Sequence, residues 1–160
     1  MPKFLASPLV EVTRDVTARL GAGTGASNWL SDADRGKAVK LAGESRYALC
    51  AAGDEIEGFI VALETATLDN FTIGTVRQDG RMRVTFDGLQ ATPGTGVIAV
   101  GDYVVTGTPV ARGTALTFAT PARVCKATAN PNALVHTWRV ISLGEAGTGA
   151  VGTVGVIERV

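Results

Sequence analysis

The stretch TIGTVRQDGRMRVTF, residues 72–86, contains two alternating runs of apolar and polar residues around the dipeptide Asp79-Gly80. Asp-Gly accepts the positive φ angles of a two-residue turn, so the stretch predicts a β-hairpin. The register of this hairpin turns three facing pairs toward the core: Ile73 with Phe86, Thr75 with Val84, and Arg77 with Met82. The opposite face carries Thr72, Gly74, Val76, Arg81, Arg83 and Thr85. We therefore expect Arg81 and Arg83 to point to solvent or to a partner.

Strand-like runs continue on both sides of this stretch. From residue 36 they recur about every 8 to 12 residues, and no long segment has the helical period. The predicted strands are residues 38–41, 47–51, 58–64, 72–77, 82–86, 97–100, 103–105, 115–119, 122–127, 135–143 and 154–160. This spacing is typical of all-β sandwiches and barrels. No strict repeat is present at the periods of about 20 to 50 residues that are typical of solenoids and propellers.

The first 35 residues differ from the rest of the chain. They contain two prolines, the run GAGTGA at 21–26, and apolar residues at 9, 12, 16 and 20. This spacing fits a short helix weakly and an extended strand about as well, so periodicity leaves both open. We predict an N-terminal arm and loop over residues 1–35 and a β-barrel domain over residues 36–160. Ser31 or Asp32 is a suitable cap for one helical turn at the junction.

The composition of the 160-residue chain argues against several classes of protein. Fifteen Lys and Arg balance fifteen Asp and Glu, so there is no basic excess to bind a nucleic acid backbone or an anionic membrane. The apolar runs are far shorter than the roughly 20 residues of a transmembrane helix, and no secretory signal is visible. Twenty glycines, with abundant Thr and Val, favour short strands joined by tight turns. We expect neither free nucleic acid nor a membrane as a partner.

Residues with catalytic or metal-binding chemistry are few. The single histidine, His136, lies in an alternating run that places His136, Trp138 and Val140 on one strand face. The sequence has no His or Cys spacing typical of zinc sites and no GxSxG turn. We therefore predict no catalytic, metal or cofactor-binding residues, no cofactor and no enzymatic activity. Cys50 and Cys125 are interpreted as buried free thiols, with a disulfide as the alternative.

Acidic and glycine-rich patterns also have structural interpretations. Glu55 and Glu57 are interpreted as a solvated strand edge. The Gly-Asp pairs at 53–54 and 101–102 are interpreted as turns in which Asp binds its own backbone. The run GTGAVG at 147–152 matches the dinucleotide motif GxGxxG letter for letter. The sequence that follows leaves no room for the helix and acidic residue which that motif requires.

The order of several motifs resembles the capsid cement proteins, also called head decoration proteins, of tailed bacteriophages. The resemblance covers most of residues 30–160. The motifs are DRGKAVKL at 34–41, AAGDEIEG at 51–58, IGTV at 73–76, GDYV at 101–104, GTGAVG at 147–152 and IE at 157–158.

The resemblance implies a small β-barrel or β-tulip-like sandwich with an N-terminal extended arm. It implies a structural virion protein, made in the host cytoplasm, that binds the outer surface of the expanded capsid and cements neighbouring major capsid protein subunits against internal DNA pressure. Its partners would be the major capsid protein and itself, as a homotrimer, with the arm and the loop at 90–96 in the footprint. The expected capsid or subunit interface residues are Phe4, Leu5, Leu9, Val10, Trp29, Arg81 and Arg83.

Two other classes of protein stay open at this point. A small-molecule-binding β-barrel without catalytic activity would have a pocket around Tyr103, Phe118 and Trp138. A trimeric dUTP-hydrolysing enzyme is also all-β and of similar length, but the sequence lacks its ordered acidic and glycine-rich motifs. Ligand-dependent melting would favour the first and nucleotide turnover the second, whereas saturable binding to empty mature capsids would favour a cement protein.

Overall fold

The computed structural model describes residues 15–21, 29–43, 46–65, 72–128 and 133–160. These residues are almost entirely β, which confirms the predicted all-β barrel class. The strands are β1 Asp15–Leu20, β2 Ala38–Gly43, β3 Arg46–Leu49, β4 Gly58–Glu64, β5 Ile73–Arg77, β6 Arg81–Leu89, β7 Thr92–Pro93, β8 Tyr103–Thr106, β9 Arg123–Lys126, β10 Trp138–Ser142 and β11 Val154–Arg159. A 3-10 helix, Asp32–Asp34, begins after Ser31 as its N-cap, at the predicted position. Within the described ranges, no helix has the length and apolar character needed to cross a membrane.

The strands form two closed rings, one from each half of the chain. The first barrel has the order β1-β3-β2-β4-β5, and β5 pairs back with β1. The second barrel has the order β6-β9-β8-β10-β11, and β11 pairs back with β6. The two-residue strand β7 extends the end of β6. Each half of the chain therefore closes its own five-stranded barrel.

The two barrels have the same topology and the same strand register. In each, the first strand is parallel to the third and antiparallel to the fifth. Ala18 faces Gly74 in the first barrel, and Val84 faces Gly155 in the second. The fourth strand has a register shift at the same place, between Ile60 and Ala62 in β4 and between Val140 and Ser142 in β10. The chain is thus a tandem pair of equivalent barrels.

A glycine in the last strand of each barrel explains part of this equivalence. A Cβ atom at Gly74 would meet the Leu20 side chain and the Ala62 carbonyl oxygen, and one at Gly155 would meet the Phe86 ring and the Ser142 carbonyl oxygen. Both glycines lie in matching segments, TIGTV at 72–76 and TVGVI at 153–157. The missing side chain lets the barrel wall approach the core residue of its first strand.

The two barrels share part of their core. The first barrel encloses a cluster that includes Leu20, Val39 and Val76. The second cluster fills the other barrel and continues into the first through Ala38, Cys50, Ile56 and Phe59. A fully buried aromatic or aliphatic side chain contributes about 1.5 to 3 kcal/mol. The shared core therefore makes the two barrels one folded unit.

The predicted hairpin at Asp79-Gly80 is wrong. Strand β5 pairs with β1 and β4 in the first barrel, whereas β6 pairs with β11, β9 and β7 in the second. Gly80 does adopt a positive φ of 80°, but the turn connects two barrels instead of two paired strands. The buried residues of β5 are Gly74 and Val76, on the face that the hairpin register assigned to the outside. For β6 the predicted face is correct, since Val84 and Phe86 are fully buried.

Three other expectations differ from the structure. Residues 15–20 lie inside the predicted arm, yet they form β1 and are held between β5 and β3. The segments 97–100 and 115–119 were expected to be strands, but only Val97 makes a single bridge, to Ala150. Both segments are otherwise largely exposed, and only Ile98 and Leu116 turn inward to the core. The other predicted strands form within a few residues of their expected positions.

The two Gly-Asp turns are confirmed as local structures. Asp54 Oδ2 accepts a hydrogen bond from the Ala51 N–H at 2.6 Å. Asp102 Oδ2 accepts the equivalent bond from the Ala99 N–H at 2.8 Å. Each carboxylate closes its turn over three residues, as expected for Asp beside a positive-φ glycine.

Candidate functional site

The described interface candidates lie on different barrels. Phe4, Leu5, Leu9 and Val10 lie outside the described residues. Trp29 is half-buried and makes a bridge with Gly21 just after β1, in the first barrel. Arg81 and Arg83 lie on the outer face of β6 in the second barrel, and both are exposed, as predicted.

The two arginines of β6 have different contacts. Arg81 Nε lies 3.4 Å from Glu158 Oε1 on the neighbouring strand β11. The Arg83 guanidinium carbon lies 3.7 Å from the centroid of the Phe118 ring. Stacking of this kind is worth about 0.5 to 1 kcal/mol at an exposed site. Arg83 therefore supports an aromatic side chain on the surface.

Phe118 belongs to a long connection, residues 107–122, between β8 and β9. The side chain of Phe118 is 80% exposed. The loop contains no strand or helix, and most of its residues are exposed. Leu116 turns inward and packs against the core of the second barrel. The Thr117 and Thr120 side-chain oxygens lie 2.7 Å apart and close the short turn that carries Phe118.

A buried ion pair in the first barrel anchors the start of this loop. Lys37 Nζ donates to Asp34 Oδ1 at 2.7 Å and to the Ala111 carbonyl at 2.6 Å. The Gly113 N–H donates to the same carboxylate oxygen at 2.8 Å. Arg112 lies between these two anchored residues, and its own side chain is exposed. The 3-10 helix region of one barrel thus positions the loop of the other.

Asp34 is held in its ionised form. Burial alone would raise the pKa of this carboxyl, but hydrogen bonds from Lys37, Ser31 and Gly113, with the charge of Lys37, outweigh burial and lower the pKa below its ordinary value. The side chains of Asp34 and Lys37 are 0% and 6% exposed. Removal of either partner would leave an uncompensated buried charge.

The outer face beside Arg83 borders an open cleft of about 380 Å³. Its walls include Arg83, Glu145, Val154 and Val156. Val156 faces Arg83 across the β6–β11 pair, so both side chains are on the outer side of the second barrel. Phe118, Arg83 and this cleft form one continuous surface, which we call the Phe118 face.

A second polar group lies at the junction of the barrels, around the single histidine. Arg159 Nη2 lies 2.7 Å from His136 Nδ1, which accepts this hydrogen bond because a guanidinium only donates. Glu57 accepts hydrogen bonds from the Tyr47 hydroxyl at 3.0 Å and the Leu41 N–H at 2.9 Å. An open cleft of about 370 Å³ borders this group.

The interpretation of Glu55 and Glu57 as a solvated strand edge is wrong. Glu55 Oε2 accepts the N–H groups of Val135 and His136 at 3.0 and 3.2 Å. Glu57 is bonded to β2 and β3 of its own barrel, whereas Glu55 reaches across the barrel junction to the segment before β10. The Glu55 partners lie about half a chain away, so the local pattern of residues does not predict these two contacts.

Buried free thiols are confirmed at Cys50 and Cys125. Burial raises the pKa of both thiols to about 11. For Cys125 the charge of Asp87 also raises the pKa. The Cys50 thiol donates a hydrogen bond to the Glu55 carbonyl, with Sγ and O 3.6 Å apart. A cavity of about 20 Å³ beside Cys50 has room for about one water molecule.

The run at 147–152 forms turns, and no helix follows it. A Cβ atom at Gly149 would meet the Ile98 backbone, so this glycine permits a close approach of two loops. The sequence match to a dinucleotide motif therefore has a packing explanation.

The residues expected to line a ligand pocket are not brought together. Trp138 is fully buried and meets Phe59 edge to face, whereas Phe118 lies on the surface against Arg83. In the described part of the chain, no group of three or more His, Cys, Asp or Glu side chains could hold a metal ion. Comparison with known proteins finds no matching family model, no similar curated protein and no similar solved structure.

Proposed function

We propose that this protein is a structural virion protein that binds the outer surface of an expanded phage capsid and cements neighbouring major capsid protein subunits. The observation that carries the proposal is the loop 107–122, which presents Phe118 to solvent on the outside of the second barrel. The order of motifs in the sequence, which resembles capsid cement proteins, supplies the identity of the partner.

The first barrel serves as an internal comparison for this loop. There the equivalent strands β2 and β3 end at Gly43 and begin at Arg46, so a very short connection closes the ring. In the second barrel the same connection runs from Thr106 to Arg123. Barrel closure therefore does not require the longer segment. Ordered loops longer than about 12 to 15 residues without secondary structure usually have a binding or catalytic role.

Phe118 is well suited to contact a partner. An exposed phenylalanine leaves about 1.5 to 3 kcal/mol of burial energy unused in the free protein. The Arg83 stack and the Asp34–Lys37 anchor hold the loop in place, so little ordering entropy is lost when it binds. Aromatic side chains in such positions commonly supply much of the binding energy of an interface.

Cementing also needs several contacts at once. The hairpin of β6 and β7 exposes the predicted footprint loop at 90–96, which offers a second contact on the same barrel. We propose that the protein acts as a homotrimer, because three linked subunits gain effective concentration and convert modest single contacts into a long-lived attachment.

Co-sedimentation with purified empty expanded capsids tests the proposal. We expect saturable binding of the wild type and about 10- to 100-fold weaker binding of Phe118→Ser, from the lost burial energy. Leu41→Ser is a matched control, because Leu41 is 53% exposed on β2 of the first barrel. The control should bind like the wild type. No binding of the wild type, or equal losses in both variants, would contradict the proposal.

A further inference from the structure

We infer that the Phe118 face, with the arginines beside it, binds a carboxylate-bearing protein surface that has an apolar recess for Phe118. This inference rests on the proposed function and assigns the chemistry of the partner, here an acidic patch on the major capsid protein. It comes from the arginines around the loop, which are exposed and have no ion pair with a described carboxylate.

Six of the thirteen Lys and Arg residues in the described ranges form an ion pair with a carboxylate of the chain. Lys37, Lys40 and Lys126 form ion pairs with Asp34, Asp54 and Asp102. Arg35, Arg77 and Arg81 pair with Asp32, Asp15 and Glu158. Arg139 on β10 has no such ion pair within these ranges and is half-buried. Arg83, Arg112 and Arg123 have no ion pair with a carboxylate among the described residues either, and all three are exposed.

These three arginines lie in or directly beneath the loop that carries Phe118. Arg112 is inside the loop, between the two residues that Lys37 and Asp34 hold. Arg123 follows the loop at the start of β9 and faces Thr85 on β6. Arg83 is two residues from Thr85 on the same face of β6, so Arg83 and Arg123 are diagonal neighbours.

The carboxylates closest to the loop do not neutralise this surface. Asp34 is buried and bound to Lys37. Asp87 is buried and accepts the Thr108 N–H at 2.7 Å. The loop itself, residues 107–122, contains no acidic residue. Glu145 is an exposed carboxylate in the neighbouring cleft, so the three positive charges of the arginines exceed this one negative charge.

The geometry of Arg83 favours a carboxylate over a diffuse negative potential. A guanidinium that stacks on an aromatic ring keeps its in-plane N–H donors free, and these donors match the two oxygens of a carboxylate. Phe118 would enter an apolar recess beside that carboxylate. A nucleic acid is a poorer fit, because the chain has no net positive charge and the exposed knob is a single apolar ring.

The first experiment measures capsid binding of Arg83→Gln, Arg112→Gln and Arg123→Gln at low and high ionic strength. We expect each variant to bind about tenfold more weakly than the wild type at low ionic strength, since each loses a charge-assisted contact. Arg77→Gln is the matched control, because Arg77 lies on the first barrel and already pairs with Asp15. Its affinity should change less than about twofold. Thermal unfolding of each variant checks that the fold is retained.

The outcomes separate the two proposals. Wild-type binding that all three arginine variants retain would overturn the carboxylate partner and leave the cement role standing. Absence of wild-type binding would overturn the cement role, and the partner chemistry is then tested without capsids. In that test, NMR spectra are recorded with poly-L-glutamate, poly-L-lysine or duplex DNA.

We expect poly-L-glutamate to shift the resonances of Arg83, Arg112, Arg123 and Phe118, and poly-L-lysine to leave them unchanged. Arg83→Gln should reduce the response. Shifts elsewhere, no shifts, or an equal or stronger response to duplex DNA would overturn the inference.

Discussion

Phe59 of the first barrel and Trp138 of the second meet edge to face, with ring centroids 5.2 Å apart and ring planes at 90°. Both side chains are fully buried. The Trp138 indole also donates to the Ile56 carbonyl at 2.9 Å. This contact joins the two barrels through packing and one buried hydrogen bond.

Trp138→Phe should therefore destabilise both barrels together. The change leaves the Ile56 carbonyl unpaired and a gap beside Phe59, for which we expect a loss of about 2 to 4 kcal/mol in the free energy of unfolding. Native-state hydrogen exchange should report the same loss for β1 and β11. A loss confined to the second barrel would contradict a shared core. Phe118→Leu, on the surface, is the control and should cost no more than about 1 kcal/mol, the value of its stack with Arg83.

Asp34→Asn should weaken the anchor of the loop 107–122. Lys37 would keep a buried charge without its carboxylate, which costs about 3 to 5 kcal/mol. Asp32→Asn is a matched control in the same 3-10 helix, because its ion pair with Arg35 is exposed. We expect that control to cost less than about 1 kcal/mol. Chemical denaturation of both variants measures the difference, and equal costs would contradict a structural role for the buried pair.

Acid should lower the free energy of unfolding by protonating Asp34. The pKa of Asp34 is lower in the folded protein than in the unfolded chain. Ionised Asp34 therefore stabilises the fold at pH values above the unfolded pKa of 3.8, and this contribution is lost as pH falls through the folded pKa. Unfolding curves from neutral to strongly acidic pH should show a loss of stability below about pH 4 that is smaller in Asp34→Asn. The same pH slope in the variant would contradict this assignment.

Gly74→Ala and Gly155→Ala should destabilise the protein by similar amounts. Each new methyl group would meet a core side chain of the first strand and a carbonyl oxygen of the fourth, and we expect a cost of about 3 kcal/mol. Gly94→Ala is the control, since its surroundings are open and only its positive φ is strained. About 1 to 2 kcal/mol is expected there. Thermal unfolding measures all three, and a tolerated alanine at one of the two equivalent positions would contradict the equivalence of the barrels.

Cys50 and Cys125 should resist thiol reagents in the folded protein. With a pKa of about 11, each thiol holds its proton at neutral pH, and the thiolate is the reactive form. Ellman's reagent should therefore label both residues slowly before unfolding and rapidly after it. The thiols lose their protons at a higher pH in the folded protein than in the unfolded chain. The free energy of unfolding should therefore decrease as pH rises from about 9 to about 11. Fast native labelling of either residue would contradict its burial.

The positions of the strands could be predicted from the sequence, whereas their pairing could not. Alternation around Val84 and Phe86 indicates a strand with one buried face, and β6 has that face. The Asp79-Gly80 turn has the chemistry of a hairpin, but turn chemistry fixes only the local φ angles. In β5 it is Gly74 and Val76 that pack inside the first barrel, so the opposite face of this strand points outward. The neighbours of β5 are β4 and β1, and β6 belongs to the other barrel. Which face of β5 is buried is determined by closure of the first barrel and not by the turn.

A usable signal for the two barrels does exist in the sequence. TIGTV at 72–76 and TVGVI at 153–157 share the threonine, the glycine and the apolar residues one position before and two positions after that glycine. Each repeat unit is half of the chain, which is longer than the repeat periods of solenoids and propellers. The two units also have loops of different length, so the repeat is hard to detect from the sequence. For the candidate site, the exposure of Arg83 follows from alternation in β6. Its stack on Phe118 does not, because residues 115–119 have the composition of a strand and lie in a loop.

Closure of both rings has a consequence for the behaviour of the protein at high concentration. Equal numbers of acidic and basic residues provide little charge repulsion between copies, and open strand edges would then promote aggregation. In the described part of the chain, the strands of each ring are paired on both sides, and the short strand β7 ends in Pro93, which lacks an N–H donor. Ring closure thus removes the strand edges through which copies could pair, so we expect crowded copies to avoid sheet-to-sheet assembly.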